Sequence, residues 1–288
     1  MSETDRADAH PAKRAAGRGV SRSARVSFVG AGPGDPELVT LKALRRLREA
    51  DVVIHDRLVP VELLHEARAD AEIIDAGKAP GRHCLPQPEI NWLLVDRARR
   101  RGRVVRLKGG DPAVFGRLAE EIDAVRAAGI SFEIVPGVTA ATAAAARAGI
   151  SLTERGHASM LVLAAATDHT GRAASGLDWG LLARAEGTLA FYMGVRALET
   201  VTASFTALGR DPREPAILVE RVGCADERVI AGRLGQIAAV ARAAGAESPA
   251  MLITGPTVNV GGPDMAPHTL GSAPAEPGFS VAMVVQDV

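Results

Sequence analysis

The chain has 288 residues, with 34 Lys and Arg against 34 Asp and Glu, and so carries no formal net charge at pH 7. This balance is atypical of a nucleic-acid binder, and the absence of any run of about 18 apolar residues predicts no membrane span. The two cysteines, Cys84 and Cys224, lie far apart and form no Cys-x-x-Cys pair, so we expect a cytoplasmic protein without disulfides or a metal site.

The first lobe is predicted from an alternation of strand and helix patterns. Residues 1–24 are rich in Ala, Arg, Ser and Gly and predict a disordered leader. Asp35 and Pro36 are typical of a helix start, and Leu38, Leu41, Leu44 and Leu47 form an apolar stripe after them. The predicted strands are 26–29, 51–55, 73–74, 104–107 and 132–135, and further helices are expected near 90–98 and 118–128. This order favours a mostly parallel sheet with helices on both sides.

A second lobe follows a boundary near residues 139–155. Its predicted strands are 160–165, 188–193, 216–220, 229–232 and 250–254, with helices near 196–208 and 234–244. No helix separates the third and fourth of these strands, which favours antiparallel pairing. Residues 261–288 predict a flexible tail. The expected fold class is therefore α/β, with two α/β lobes at 25–138 and 139–260 and a ligand cleft between them.

Three predicted strands of the first lobe end in glycine-rich turns, at Gly30–Asp35, Gly109–Pro112 and Pro136–Thr139. Ligands of open α/β sheets bind beyond the carboxyl ends of the strands, so these turns are expected to meet in one crevice. The first turn is close to a dinucleotide fingerprint, but Asp35 stands where the third glycine belongs and Pro33 stiffens the loop. A nicotinamide cofactor is therefore disfavoured.

The string from Val29 to Leu38 resembles the opening motif of the tetrapyrrole methylase family. Further matches occur in family order, in the segments 56–59, 77–78, 86–91, 103–112, 115–117, 135–141, 152–153, 191–194 and 248–250. The resemblance covers about residues 25–260. It implies the family's two-lobed fold, a homodimer and two successive methyl transfers from S-adenosylmethionine to uroporphyrinogen III, at C2 and C7, giving precorrin-2.

The same resemblance implies which residues hold the methyl donor. They are Pro33, Gly109, Gly110, Asp111, Val114, Thr139, Ala140, Met193, Val222 and Gly255. Outside its motif, Met193 would be interpreted as an ordinary core methionine.

For the tetrapyrrole acceptor and its protons, the resemblance implies Asp56 as a proton acceptor, Lys78 as a proton donor, and Arg117 and Arg155 in substrate binding or proton handling. Glu120 lies one helical turn after Arg117 and is expected to hold it or to accept a proton. Arginine suits this role because its planar fork pairs with carboxylates at two points.

The acceptor side departs from the family pattern. Leu118 and Ala119 replace two small residues, which is expected to add bulk where the edge of the acceptor passes. Three alternatives therefore stay open: methylation of another precorrin or tetrapyrrole, a non-catalytic relative that binds S-adenosylmethionine, and an rRNA ribose methylase of the same fold. The neutral charge and the lack of basic-aromatic stretches count against the last.

Overall fold

The computed structural model describes residues 24–77, 85–168, 172, 174–193, 195–258 and 269–270. The predicted leader up to residue 23, most of the predicted tail, Lys78 and Cys84 lie outside the described residues. Within the described part of the chain, no helix is both long and apolar enough to cross a membrane.

The first lobe contains a five-stranded sheet in which every paired neighbour is parallel, in the order β3-β2-β4-β1-β5. Its strands are β1 (Arg25–Gly30), β2 (Val52–His55), β3 (Glu72–Asp75), β4 (Arg103–Lys108) and β5 (Ser131–Val135). The helices of this lobe are α1 (Leu41–Glu49), α2 (Val61–Leu64), α3 (Gln87–Arg101) and α4 (Leu118–Ala127), and α5 (Ala140–Arg147) follows β5 and leads into the second lobe. The predicted parallel sheet is confirmed.

Helices cover both faces of this sheet because alternate residues of its strands point to opposite sides. On one face, Phe28 and Ile54 pack with Leu94 of α3 and Val125 of α4. On the other face, neighbouring strand residues such as Val29 and Val53 pack with Leu47 of α1 and Leu63 of α2. The parallel register places the carboxyl ends of β1, β4 and β5 side by side.

The second lobe contains a six-stranded sheet in the order β11-β9-β8-β10-β7-β6. Its strands are β6 (Leu161–Ala165), β7 (Thr188–Tyr192), β8 (Pro215–Glu220), β9 (Arg228–Arg233), β10 (Ala250–Thr254) and β11 (Thr269–Leu270). The helices α6 (Trp179–Ala183), α7 (Leu198–Ala207) and α8 (Ile237–Ala243) pack on one face, and α5 packs on the other. Only β6 and β7 are parallel, and the predicted antiparallel pairing of β8 with β9 is confirmed.

The prediction for the first helix was wrong at its start. Asp35 caps only a short 3-10 turn, Pro36–Leu38, and α1 begins at Leu41, where the Thr40 hydroxyl accepts a hydrogen bond from the Ala43 amide at 3.1 Å. Leu41 is therefore 74% exposed, and Leu38 packs against the core of the second lobe. The 3-10 turn after β1 thus contacts the second lobe.

Three short helices and one strand were not predicted. α2 has four residues and α6 has five, too few to show a periodic stripe. α5 is almost entirely alanine, which gives no contrast between its faces. β11 lies within the segment predicted to be a flexible tail, and it pairs with β9 at Val229 and Ile230.

Glu133 on β5 should give stability that disappears in acid. Burial by itself raises the pKa of this carboxyl, but hydrogen bonds from Arg46, Lys42 and Ser27 outweigh it and lower the pKa to about 2. A depressed pKa gives stability that is present above the ordinary value near 4.5 and is lost as the pH falls toward 2. Glu133→Gln should therefore cost about 1 kcal/mol at pH 7, and much less in acid.

Thermal unfolding of the parent and the variant between pH 7 and pH 3 tests this prediction. Glu49→Gln is the matched control, because Glu49 also pairs with Arg46, at 3.3 Å, but is half exposed. A constant difference between Glu133→Gln and the parent at every pH would contradict the assignment.

Candidate active site at the junction of the two lobes

A cavity of about 750 Å³ lies where the carboxyl ends of β1, β4 and β5 meet the second lobe. This volume is typical of sites for small molecules and cofactors. The first lobe contributes the turns after these three strands, and the second lobe contributes the ends of β7 and β8 and the start of β10. Nine of the ten residues predicted for the donor line its wall: Pro33, Gly109, Gly110, Asp111, Val114, Thr139, Ala140, Met193 and Val222.

The three glycine-rich turns touch one another directly. The Gly110 amide donates to the Gly32 carbonyl at 2.7 Å, and the Gly137 amide donates to Asp111 Oδ2 at 3.0 Å. A Cβ atom at Gly137 would lie 2.3 Å from the Gly110 carbonyl oxygen, and one at Gly30 would lie 2.6 Å from the Gly137 Cα. At these positions glycine is needed because backbone packs on backbone.

Gly110 is different, because its side-chain position is open. A Cβ there would meet no atom nearer than 3.9 Å, although its φ of 68° is the left-handed conformation that glycine favours. Gly110 also lines the cavity. Bare backbone is therefore presented to whatever occupies this part of the cavity.

Gly255 does not line the cavity. It follows the last residue of β10 and packs against Gly187 and Thr188 at the start of β7, whereas the cavity lies at the other end of both strands. Ala250 and Met251, at the start of β10, form the wall that was expected from Gly255. The position was misjudged because the antiparallel direction of β10 could not be derived from its sequence.

Tyr192 ties the end of β7 to the start of α5 at the cavity wall, and its ring reaches Phe115 of the first lobe. Its hydroxyl lies 2.6 Å from Thr139 Oγ1 and accepts a hydrogen bond from the Ala141 amide at 3.4 Å. Its ring centroid is 4.7 Å from that of Phe115. Burial raises the pKa of Tyr192, so the hydroxyl stays protonated at neutral pH. Tyr192 belongs to the family segment 191–194, and no role was predicted for its side chain.

Tyr192→Phe should destabilise the protein by about 1 kcal/mol, because it removes the hydroxyl and keeps the ring contact with Phe115. For a chain of this size that is a fall of about 2–4 °C in melting temperature. Thr139→Val removes the other partner, so the effects of the two substitutions should not add in the double variant. Fully additive losses would show that the two hydroxyl groups do not stabilise the protein as a pair.

Left-handed backbone conformations cluster around the cavity. Phe115, Arg117 and Met193 have φ values of 52°, 54° and 59°, which are rare for residues other than glycine. Between the first two, a Cβ at Gly116 would lie 2.5 Å from the Pro112 carbonyl oxygen. Met193 is 49% exposed and lines the cavity, so it is not a core methionine. Such strain is found mainly at functional sites.

Asp56 follows β2 and is held by a chain of buried charges. It accepts a hydrogen bond from Arg106, whose Nε donates to Glu121 Oε1 at 3.0 Å. Lys108 Nζ donates to both oxygens of Glu121 at 3.0 Å, and Gln87 reaches the same carboxylate at 3.3 Å. The side chains of Arg106 and Lys108 are 3% exposed, and that of Glu121 is 0% exposed.

Within this group of buried charges, the pKa values of Lys108 and Arg106 depend on Glu121. Burial lowers the pKa of Lys108, and the nearby Arg106 charge lowers it further, while Glu121 acts in the opposite direction. For Arg106, burial opposes the charged form, but Asp56 and Glu121 outweigh it and raise the pKa. Arg106 therefore holds Asp56 in place, and Glu121 in turn holds Arg106.

Three further residues predicted to be catalytic, Arg117, Glu120 and Arg155, are not among the residues that line the cavity. Arg117 and Glu120 form a two-point ion pair at 2.8 Å, and both side chains are about half exposed. Arg155 is exposed in the turn after α5, and Lys78 lies outside the described residues. Their roles stay predictions.

Leu118 does not add bulk to the acceptor side, as had been expected. Its side chain is 9% exposed and packs in the first-lobe core with Phe28, Leu94 and Val125. It is not part of the cavity wall. The larger side chain at this position is therefore accommodated in the first-lobe core.

Residues 25–238 match the sequence profile of the family described as Tetrapyrrole (Corrin/Porphyrin) Methylases. A uroporphyrinogen-III C-methyltransferase from Priestia megaterium is 44% identical over 235 residues, which are 82% of this chain and 98% of that protein. Siroheme synthase 3 from Aeromonas hydrophila is 47% identical over 235 residues, or 82% of this chain, but only 49% of that protein. The chain thus spans about half the length of the siroheme synthases that it matches.

Solved structures give the same grouping. A uroporphyrin-III C-methyl transferase from Thermus thermophilus, in complex with S-adenosylhomocysteine, is 40% identical, with a TM-score of 0.69 over 82% of this chain and 94% of that one. A cobalt precorrin-4 methyltransferase is 30% identical, with a TM-score of 0.74 over 82% of this chain and 96% of that one.

Proposed function

The chain belongs to the tetrapyrrole (corrin/porphyrin) methylase family, and on that premise we propose that it transfers two methyl groups from S-adenosylmethionine to C2 and C7 of uroporphyrinogen III, giving precorrin-2. The observation that carries the proposal is the cavity between the lobes, whose wall contains nine of the ten residues expected to hold the donor. The Thermus thermophilus relative in complex with S-adenosylhomocysteine supports it.

The residues of the cavity fit the methyl donor. Gly110 presents open backbone at the end of β4, and Pro33, Val114, Met193 and Val222 add apolar surface. S-adenosylmethionine supplies an activated methyl group, so the protein needs no metal to activate it. The chain's own residues position the two substrates, exclude water and handle the proton that the acceptor loses.

Asp56 is the proposed proton acceptor. Arg106 fixes its carboxylate, and the side chain is 35% exposed, so a substrate proton has access to it. Asp56 is not itself among the lining residues, but the next residue, Arg57, lines the cavity, which supports a role for Asp56 beside it. Lys78 is the proposed proton donor, and Arg117 with Glu120 is proposed to act at the acceptor.

The proposal is tested by incubating the protein with S-adenosylmethionine and freshly reduced uroporphyrinogen III and measuring the product by mass spectrometry. Two added methyl groups per acceptor are expected. Binding of the donor with no methylated product would contradict the proposed function. Methylation of cobalt-precorrin-4 in its place would support the alternative that the precorrin-4 methyltransferase likeness raises.

The setting of the reaction is also a proposal. The likeness to siroheme synthases and to a cobalamin biosynthetic enzyme supports a place before the branch to either product. We further propose a homodimer in the cytoplasm.

A further inference from the structure

Three arginines line the cavity, and the side chains of two of them have no partner within the described part of the chain. Arg221 pairs with Asp226 at 2.7 Å. The guanidinium groups of Arg57 and Arg196 make no hydrogen bond or ion pair with any other residue that the structure describes. An unpaired guanidinium on a cavity wall is available to an anionic ligand, since its fork matches a carboxylate at two points.

The two unpaired arginines come from different lobes. Arg57 follows Asp56 at the end of β2, in the first lobe. Arg196 lies in the short 3-10 turn Val195–Ala197 that follows β7, in the second lobe. A ligand that engages both must therefore carry more than one anionic group and lie across the junction.

Exposed apolar side chains surround the same cavity. Leu58, Val61, Phe115 and Met193 are 51%, 62%, 44% and 49% exposed, and all four line it. Large apolar side chains left open to solvent at one place mark a surface that a ligand covers. The wall therefore fits a molecule with an apolar body and acidic groups at its edge.

We propose that Arg57 and Arg196 bind carboxylates at the edge of the tetrapyrrole, while Leu58, Val61 and Phe115 pack against its ring system. This inference rests on the proposed function and deepens it. It adds two carboxylate contacts inside the cavity to the proposed role of Arg117, which is paired with Glu120 and, like Arg155, is not among the lining residues.

Binding of uroporphyrin III, the stable oxidised form of the acceptor with the same carboxylates, tests the proposal without turnover. Porphyrin fluorescence gives its affinity for the parent and for Arg57→Gln, Arg196→Gln and the double variant. Each single substitution should weaken binding roughly tenfold or more, as expected for a lost charge-assisted contact. Arg57→Lys and Arg196→Lys should restore part of it.

Two controls isolate the effect. Arg45→Gln removes an exposed arginine on α1 outside the cavity and should leave porphyrin affinity unchanged. Calorimetric binding of S-adenosylhomocysteine should be the same in every variant, which shows that the donor side is intact.

The possible outcomes separate this inference from the proposed function. Loss of porphyrin binding in the arginine variants supports the inference even if the parent methylates a different tetrapyrrole. A parent that methylates uroporphyrinogen III while the double variant keeps its porphyrin affinity and its KM for the acceptor would overturn the inference alone. Failure of the parent to bind uroporphyrin III would overturn it as well.

Discussion

Gly137→Ala should abolish or strongly weaken binding of S-adenosylhomocysteine. The new Cβ would lie 2.3 Å from the Gly110 carbonyl oxygen and 2.8 Å from the Gly30 Cα, and both of these are backbone atoms that cannot rotate away. The turns after β1 and β4 must then separate from the turn after β5. Overpacking of this kind costs about 1–3 kcal/mol, so a loss of roughly tenfold or more in donor affinity is expected.

Titration calorimetry with S-adenosylhomocysteine measures the effect. Gly176→Ala is the matched control, because a Cβ at this exposed glycine meets no atom within 4 Å and the backbone has no left-handed φ. Circular dichroism distinguishes a rearranged site from an unfolded chain. Unchanged affinity in a folded Gly137→Ala protein would show that the contact between the turns does not shape the donor site.

Glu121→Gln should be the most destabilising single substitution in the first lobe. It leaves Lys108 without its carboxylate and Arg106 with only Asp56, although both cations are 3% exposed. Removing one partner of a buried ion pair costs about 3–5 kcal/mol. Chemical denaturation gives the free energy of unfolding directly.

The loss in Glu121→Gln should also depend on pH. Burial already lowers the pKa of Lys108. Glu121 and Asp56 favour its charged form, and the substitution removes the effect of Glu121. A buried amine with a depressed pKa binds fewer protons in the folded than in the unfolded state, so stability rises with pH. The difference between variant and parent should therefore be larger at pH 7 than at pH 9.

Asp123→Asn on the same helix is the control for Glu121→Gln. Asp123 pairs with Arg126 at 3.1 Å, but both side chains are mostly exposed, so little change is expected. Equal stabilities for Glu121→Gln and Asp123→Asn would contradict the buried network. If Asp56 is the proton acceptor, Glu121→Gln should also lower the methylation rate under conditions where it stays folded, because Arg106 loses its second anchor.

The sheet of the first lobe could be predicted because its strands are short β-branched runs, three of which end in glycine-rich turns. Parallel strands bring such turns to one edge, so the meeting of Gly30, Gly110 and Gly137 followed from the pattern. Nine of the ten residues that the resemblance implies for the donor line the cavity, and Gly255 does not. That residue was misplaced because the sequence of β10 does not reveal which end of the strand faces the first lobe.

The buried charges were missed although the sequence carries a signal for them. Arg106 and Lys108 alternate along β4, in a stretch whose other residues after Arg103 are apolar and buried. Glu121 falls in the buried stripe of α4 together with Leu118 and Val125. Two cations facing one side of a central strand and a carboxylate on the buried face of a helix predict an internal ion pair. Their partnership depends on how α4 packs on the sheet, which the sequence pattern does not specify.

The cavity arginines required the structure for a different reason. Many arginines of this chain are paired on its surface, and sequence does not distinguish a paired from an unpaired guanidinium. Arg117 was selected from its motif, but its neighbour Glu120 satisfies it. Arg57 and Arg196 stand out only because they line the cavity without a partner among the described residues.

A crystal structure of the protein with S-adenosylhomocysteine tests the central claim most directly, since it locates the donor. We expect the ligand between the lobes, in contact with Gly110, Ala140 and Met193. Electron density for the ligand at another place would contradict the assignment of this cavity as the methyl-donor site. So would a ligand that contacts the first-lobe turns but neither Met193 nor Val222.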